Sequence, residues 1–191
     1  MESASENGHL EVVKYLHKTV GAKCTKNVII KAIVHGHLEV VKYLDENHFI
    51  RNDIPIACFA IVHGHLEVLR YLYETVGAEC TTYTMDTASR HGHLEIMRYL
   101  HEIVGAKFTI NTMKIACKNG YLEIVKYLHE IVGATCTIYA MDCASLHGHL
   151  DVVKYLHETV GAKCTTNAMI WASNHEVVKY LRENISIFTI I

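Results

Sequence analysis

The stretch Gly148-His149-Leu150-Asp151-Val152-Val153-Lys154-Tyr155-Leu156-His157-Glu158-Thr159-Val160-Gly161-Ala162-Lys163-Cys164-Thr165 decides the fold, because the chain keeps repeating it. Its leading glycine also stands at Gly8, Gly36, Gly64, Gly92 and Gly120, always 28 residues apart. A fixed period of this length marks a tandem array of modules, each too small to bury a core alone. Within the stretch, Leu150, Val153 and Leu156 recur at helical spacing and predict one apolar helix face. Asp151 and Lys154 point the other way and can pair at i, i+3. Gly161 stops the helix.

One full module runs from Thr25 to Asn52. Thr25 can cap a helix start with its hydroxyl, as can Asp53, Thr81, Thr109, Thr137 and Thr165 in the other copies. A first helix is predicted to about His35, ended by Gly36, and a second from Leu38 to about Asn47. An alanine recurs in every first helix, at Ala4, Ala32, Ala60, Ala88, Ala116, Ala144 and Ala172. A methyl at each of these places implies close helix-to-helix approach. No stretch alternates apolar and polar residues, so strand is not expected.

Half of the 191 residues are hydrophobic and only one is proline, which excludes a disordered chain. The net charge of -2 supplies no field for nucleic acid or an anionic membrane surface. No apolar run reaches the roughly 18 residues that span a bilayer. The opening Met1-Glu2-Ser3-Ala4-Ser5-Glu6 carries no secretory signal, and a cytoplasmic location is expected. The seven cysteines are odd in number and form no Cys-x-x-Cys pair. Cys24, Cys80, Cys136 and Cys164 share one repeat position with Asn52 and Phe108, as a small buried slot would. They are expected to be reduced core thiols.

The run Gly36-His37-Leu38-Glu39-Val40-Val41-Lys42-Tyr43-Leu44 closely resembles the second helix of ankyrin repeats, and Val20-Gly21-Ala22 resembles that family's Gly-Ala turn. The copies are similar to arrays abundant in large DNA viruses and single-celled eukaryotes, which would place the chain in a host cytoplasm if it is viral. The resemblance implies an all-α helix-turn-helix solenoid of six to seven stacked pairs. Its copies fall at 1–24, 25–52, 53–80, 81–108, 109–136, 137–164 and 165–191, the first and last incomplete, in one domain over 1–191. Two features depart from the family. The Thr-Pro-Leu-His-x-Ala motif becomes Asn167-Ala168-Met169-Ile170-Trp171-Ala172, so Met85, Met113, Met141 and Met169 must fill space. The period of 28 is shorter than the usual one of about 33, and the deficit falls where the projecting β-turn finger would be. Blunt loops are therefore expected.

Ankyrin proteins bind other proteins through first helices that line a concave face. The matching positions here vary from copy to copy, and they are Lys31, Val34, Phe59, Val62, Thr87, Arg90, Ile115, Lys118, Cys143, Leu146 and Trp171. Their variety suits partner contact, or else drift on a scaffold that does not use them. Ile29, Ile30, Ile33 and Val34 with Ile54, Pro55, Ile56, Phe59, Ile61 and Val62 make two apolar first helices, expected to be core or an exposed binding patch. The odd loop Asn47-His48-Phe49-Ile50-Arg51-Asn52 lies between them and marks this pair as the expected principal contact region.

Other chemistry reads weakly. The His-Gly-His pairs 35/37, 63/65, 91/93 and 147/149 give two ligands where structural zinc takes four, so hydrogen bonding within the turn is expected instead of a metal. Ser89-Arg90-His91 and Ser145-Leu146-His147 recur with the period, whereas a catalytic group needs one special environment. No enzyme and no cofactor are expected. A tyrosine stripe (Tyr15, Tyr43, Tyr71, Tyr99, Tyr127, Tyr155, Tyr180) suggests packing between repeats with a wet hydroxyl, and a neighbouring basic stripe is balanced by acids three residues earlier. The expected function is a non-catalytic scaffold for another protein. The alternative is a structural or self-associating segment, since the ragged ends allow a monomer or a weak end-to-end dimer.

Overall fold

The computed structural model describes residues 1–50, 56–79 and 82–185. Asp53, Ile54 and Pro55, Cys80 and Thr81, and the apolar tail 186–191 lie outside the described residues. All regular structure among the described residues is helical. The chain divides into two compact units, Met1–Thr87 and Ala88–Ile191.

The first unit holds α1 (Glu2–Glu6), α2 (Leu10–Lys18), α3 (Lys26–Val34), α4 (Leu38–Glu46), α5 (Ile56–Val62), α6 (Leu66–Glu74) and the start of α7 (Thr82–His91). The second completes α7 and adds α8 (Leu94–Glu102), α9 (Ile110–Asn119), α10 (Leu122–Glu130), α11 (Ile138–Leu146), α12 (Leu150–Glu158), α13 (Thr166–Ile170) and α14 (His175–Asn184). Odd-numbered helices are the first helices of each copy, and even-numbered ones the second. In the first unit α3 packs between α1 and α5, while α4 packs between α2 and α6. In the second, α11 packs between α9 and α13, and α12 between α10 and α14.

The pairs from α1–α2 to α11–α12 are each joined by a turn with a left-handed glycine. In the second copy Gly36 takes φ 74, His37 N–H donates back to Ala32 O at 2.9 Å, and Gly36 N–H donates to Ile33 O at 3.1 Å. These two bonds satisfy carbonyls that the end of α3 leaves bare. A glycine is needed twice over, for its left-handed backbone and for its missing side chain. The imidazole of His65, from the following copy, lies where a Cβ on Gly36 would stand, with Cε1 at 2.7 Å. The recurrent alanines have the reason expected of them: Ala32, Ala60, Ala88, Ala116 and Ala144 are fully buried. Met85, Met113 and Met141 fill the neighbouring core, while Met169 is half-buried.

Local expectations fail in three places. Thr109 caps α9 in a reciprocal box with Thr112, and Thr165 accepts from Asn167 N–H, but Thr25 and Thr137 make no such bond. The Thr25 hydroxyl instead donates to Glu2 Oε1 at 3.0 Å. The seventh first helix stops at Ile170, so Ala172 lies beyond it, half-buried. The odd loop after α4 uses His48, not glycine, in the left-handed turn at φ 60. Its amide donates to Asp45 O, and Phe49 N–H donates to Leu44 O, which turns the chain without a Val-Gly-Ala sequence.

Candidate partner-binding surface

The varied first-helix positions are not equally available. Arg90, Lys118, Leu146 and Trp171 are exposed; Lys31, Val34, Phe59, Val62, Ile115 and Cys143 are half-buried. Thr87 is a correction. It is 3% exposed and its hydroxyl donates to Tyr83 O at 2.8 Å, the usual way a helical threonine hides its polar atom. The Lys31 ammonium holds Glu6 Oε1 at 2.9 Å, with His35 Nε2 at 3.4 Å. That hydrogen bond from Lys31 keeps the Glu6 carboxyl below its usual range.

The apolar pair of helices is mostly interior. Ile29, Ile33, Ile56 and Ile61 are buried, so their side chains answer the demand of packing between neighbouring copies. Among the described residues of the pair, Ile30, Val34, Phe59 and Val62 reach the surface, each in part. Large exposed apolar side chains on first helices stand instead at Tyr83, Ile110, Tyr139, Leu146 and Ile170, with Trp171 at the end of α13. Tyr83 and Tyr139 share a repeat position with Asn27, Asn111 and Asn167. That position also varies, and its variation was the signal available in the sequence.

In the tyrosine stripe of the second helices, three hydroxyls hold neighbouring copies together. Tyr71 donates to Asp45 Oδ2 at 2.8 Å, Tyr155 to Glu130 Oε1 at 2.9 Å and Tyr180 to Glu158 Oε1 at 2.8 Å, each in the preceding copy. Burial, then the carboxylate bond, pushes these phenols up to about 12. These three tyrosines thus pack between repeats, but their hydroxyls are bonded to protein. The basic stripe pairs along its own helix, Lys14 with Glu11 at 2.7 Å, Lys42 with Glu39 at 2.8 Å and Lys126 with Glu123 at 2.8 Å.

The histidine pairs act between copies as well. In three of them the second ring donates to a carbonyl of the preceding copy: His37 Nε2 to Glu6 O at 2.9 Å, His65 to Val34 O at 2.8 Å and His149 to Lys118 O at 3.0 Å. The two rings of a pair lie nearly parallel, 6.3 Å apart in His35 and His37. Among the described residues no three His, Cys, Asp or Glu side chains converge as metal ligands. Ser89 and Ser145 are buried, with hydroxyls donating to Thr112 O and Met141 O, so neither is poised as a nucleophile. Among the described cysteines, Cys24, Cys58, Cys117, Cys136, Cys143 and Cys164 are unbridged. A hydrogen bond with Cys136 and deep burial push the Cys117 thiol far up, and burial lifts Cys24 to about 11, so these two thiols keep their protons.

The family model for ankyrin repeats, in three copies, matches residues 1–84 and 113–189. This chain belongs to the ankyrin repeat family. The crystal structure of the human ASB11 ankyrin repeat domain is similar to it with a TM-score of 0.71 and 17% identity, covering 97% of each chain. At that identity the likeness concerns the fold. Comparison with curated proteins by sequence finds no match. Ankyrin repeats are in general protein-interaction modules, and the helix-turn-helix pairs seen here are that fold. No helix among the described residues is long and apolar enough to cross a membrane.

Proposed function

We propose that this ankyrin array is a non-catalytic scaffold that binds another protein through the first-helix face, at Lys31, Val34, Phe59, Val62, Arg90, Ile115, Lys118, Cys143, Leu146 and Trp171. One observation carries the reading. Chemical variety is concentrated on first-helix positions that reach solvent, whereas the second-helix positions are nearly uniform, their tyrosines bonded to the preceding copy and their lysines paired with acids of the same helix. A side chain fixed by its neighbour cannot be changed to suit a partner, but one standing clear of it can. Rigid display then lowers the ordering cost of association.

The strongest anchors are the exposed ones. Arg90, Lys118 and Leu146 occupy equivalent places on α7, α9 and α11, a cation, a cation and an aliphatic group in succession. Such a row suits an extended acidic and apolar segment of a partner, with Arg90 as the planar donor. The test is affinity capture from the native cell or its host. The variant Arg90→Glu with Lys118→Glu and Leu146→Ser should lose a protein that wild type retains. Glu123→Ser, on the exposed side of α10, should keep it. Equal capture by all three chains would remove the first-helix face from the proposal.

A further inference from the structure

Two cysteines meet where one first helix packs on the next. Near the end of each first helix, one repeat position reads Ser5, Ile33, Ile61, Ser89, Cys117 and Ser145 along the chain. The slot just ahead of the next first helix reads Cys24, Asn52, Cys80, Phe108, Cys136 and Cys164 in the same order. Set side by side, the two rows put a thiol on both sides once, at Cys117 and Cys136.

The geometry agrees with this register. Ser89, at the position of Cys117 but on α7, donates its hydroxyl to Thr112 O of α9 at 2.8 Å. A side chain at this position therefore looks across to the start of the next first helix. α9 packs on α11 in the same way, and the wholly buried Cys117 makes a hydrogen bond with the Cys136 thiol just ahead of α11. Cys136 is half-buried and its thiol donates to Thr137 O at 3.7 Å, which leaves the sulfur to accept from Cys117. Cys143 on α11 is near enough to act on Cys117 by charge, but the hydrogen bond goes to Cys136.

We propose that Cys117 and Cys136 form an oxidation site at which hydrogen peroxide joins them in a disulfide, tying α9 to the segment that leads into α11. Cys136 is the sulfur of the two that solvent reaches, and its hydrogen bond with Cys117 lowers its pKa, so it supplies the thiolate. The thiolate attacks one peroxide oxygen. The O–O bond breaks, the departing hydroxide takes up a proton as water, and Cys136 becomes a sulfenic acid. The Cys117 sulfur then displaces the hydroxyl, its own proton leaving in a second water, and the S–S bond forms. Two electrons have passed from the thiols to peroxide. Small thiol reductants reverse the step by exchange. The proposal stands apart from the partner-binding reading, since neither cysteine is assigned to that face.

The full chain is treated with hydrogen peroxide, unfolded, alkylated at the remaining thiols and weighed intact. Wild type should lose two of its seven alkylatable thiols and regain both with dithiothreitol. Chymotryptic mapping can cut after Tyr139, between Cys136 and Cys143, and should place the bridge between Cys117 and Cys136. Cys117→Ser should lose the bridge and accumulate sulfenic acid at Cys136, trapped with dimedone. Cys136→Ser should lose the bridge and leave Cys117 reduced, whereas Cys143→Ser should bridge as wild type does. Mapping on wild type locates the bridge by itself, so the test stands should a serine variant fail to fold. Unfolding wild type in urea before adding peroxide should replace this pairing with a mixture. Seven free thiols in folded wild type under excess peroxide, a bridge between any other pair, dimedone on Cys117 in place of Cys136, or the same single pairing from the unfolded chain would each overturn the proposal.

Discussion

Gly120→Ala tests the reason for the recurring glycine. Gly120 and Gly105 both sit at φ 74, so an alanine at either carries the same left-handed strain, about 1–2 kcal/mol. Their surroundings differ. A Cβ at Gly105 meets nothing within 4 Å, whereas one at Gly120 lands 2.7 Å from Cγ and Cε1 of His149. That ring cannot stay. Moving it breaks the 3.0 Å bond from His149 Nε2 to Lys118 O, a further loss of about 0.5–1.5 kcal/mol. Gly105→Ala should therefore cost about 1–2 kcal/mol and Gly120→Ala about 1.5–3.5 kcal/mol. Urea unfolding followed by circular dichroism measures both. The background His149→Ala should remove the excess and bring the two glycine variants level, as a double-mutant cycle. Equal losses in the wild-type background would refute the argument that the following copy's ring is what the glycine accommodates.

Three other outcomes follow from local geometry. Thr109→Ala should cost about 1 kcal/mol, because the hydroxyl caps α9, while Thr137→Ala should be near neutral because that hydroxyl caps nothing. His48→Gly should stabilise by about 1 kcal/mol in thermal unfolding, since the residue sits at φ 60 with its ring exposed. Tyr71, Tyr127, Tyr155 and Tyr180 have phenols raised to about 12, by burial first and then by carboxylate neighbours. The folded chain holds these protons more tightly than the unfolded one, so their contribution is complete below the ordinary phenol range near pH 10 and is lost as pH rises towards 12. Ultraviolet titration should show late phenolate formation, with alkaline unfolding in that window; ordinary titration of all four would refute it.

Much of the fold was legible in the sequence because each repeat poses the same local problem. The period, the glycine stop and the apolar spacing of Leu38, Val41 and Leu44 are properties of neighbouring residues along one chain segment, and so are readable without the partner helix. The exceptions lie where a local signal competes with another demand. Thr25 has the cap-competent side chain, but Glu2 is within reach and takes the proton. His48 holds a glycine's conformation because the chain there turns one residue sooner after α4 than after the other second helices. The candidate surface was less legible. Thr87 and Phe59 share one repeat position, yet one is buried and the other half-buried.

By itself the sequence determined a helical array of short repeats, which alanine and glycine positions are fixed, and which first-helix positions differ between copies. Only the tertiary structure decided what each repeated side chain does. The hydroxyls of Tyr71 and Tyr180 and the ring of His65 bond to the copy before them, 22 to 31 residues back along the chain. The apolar residues of α3 and α5 are mostly core. The physical reason is that hydrogen-bond partners and burial depend on what the neighbouring copy presents across the gap. A pattern within one copy specifies the helix and its face, whereas the atoms that meet that face belong to another.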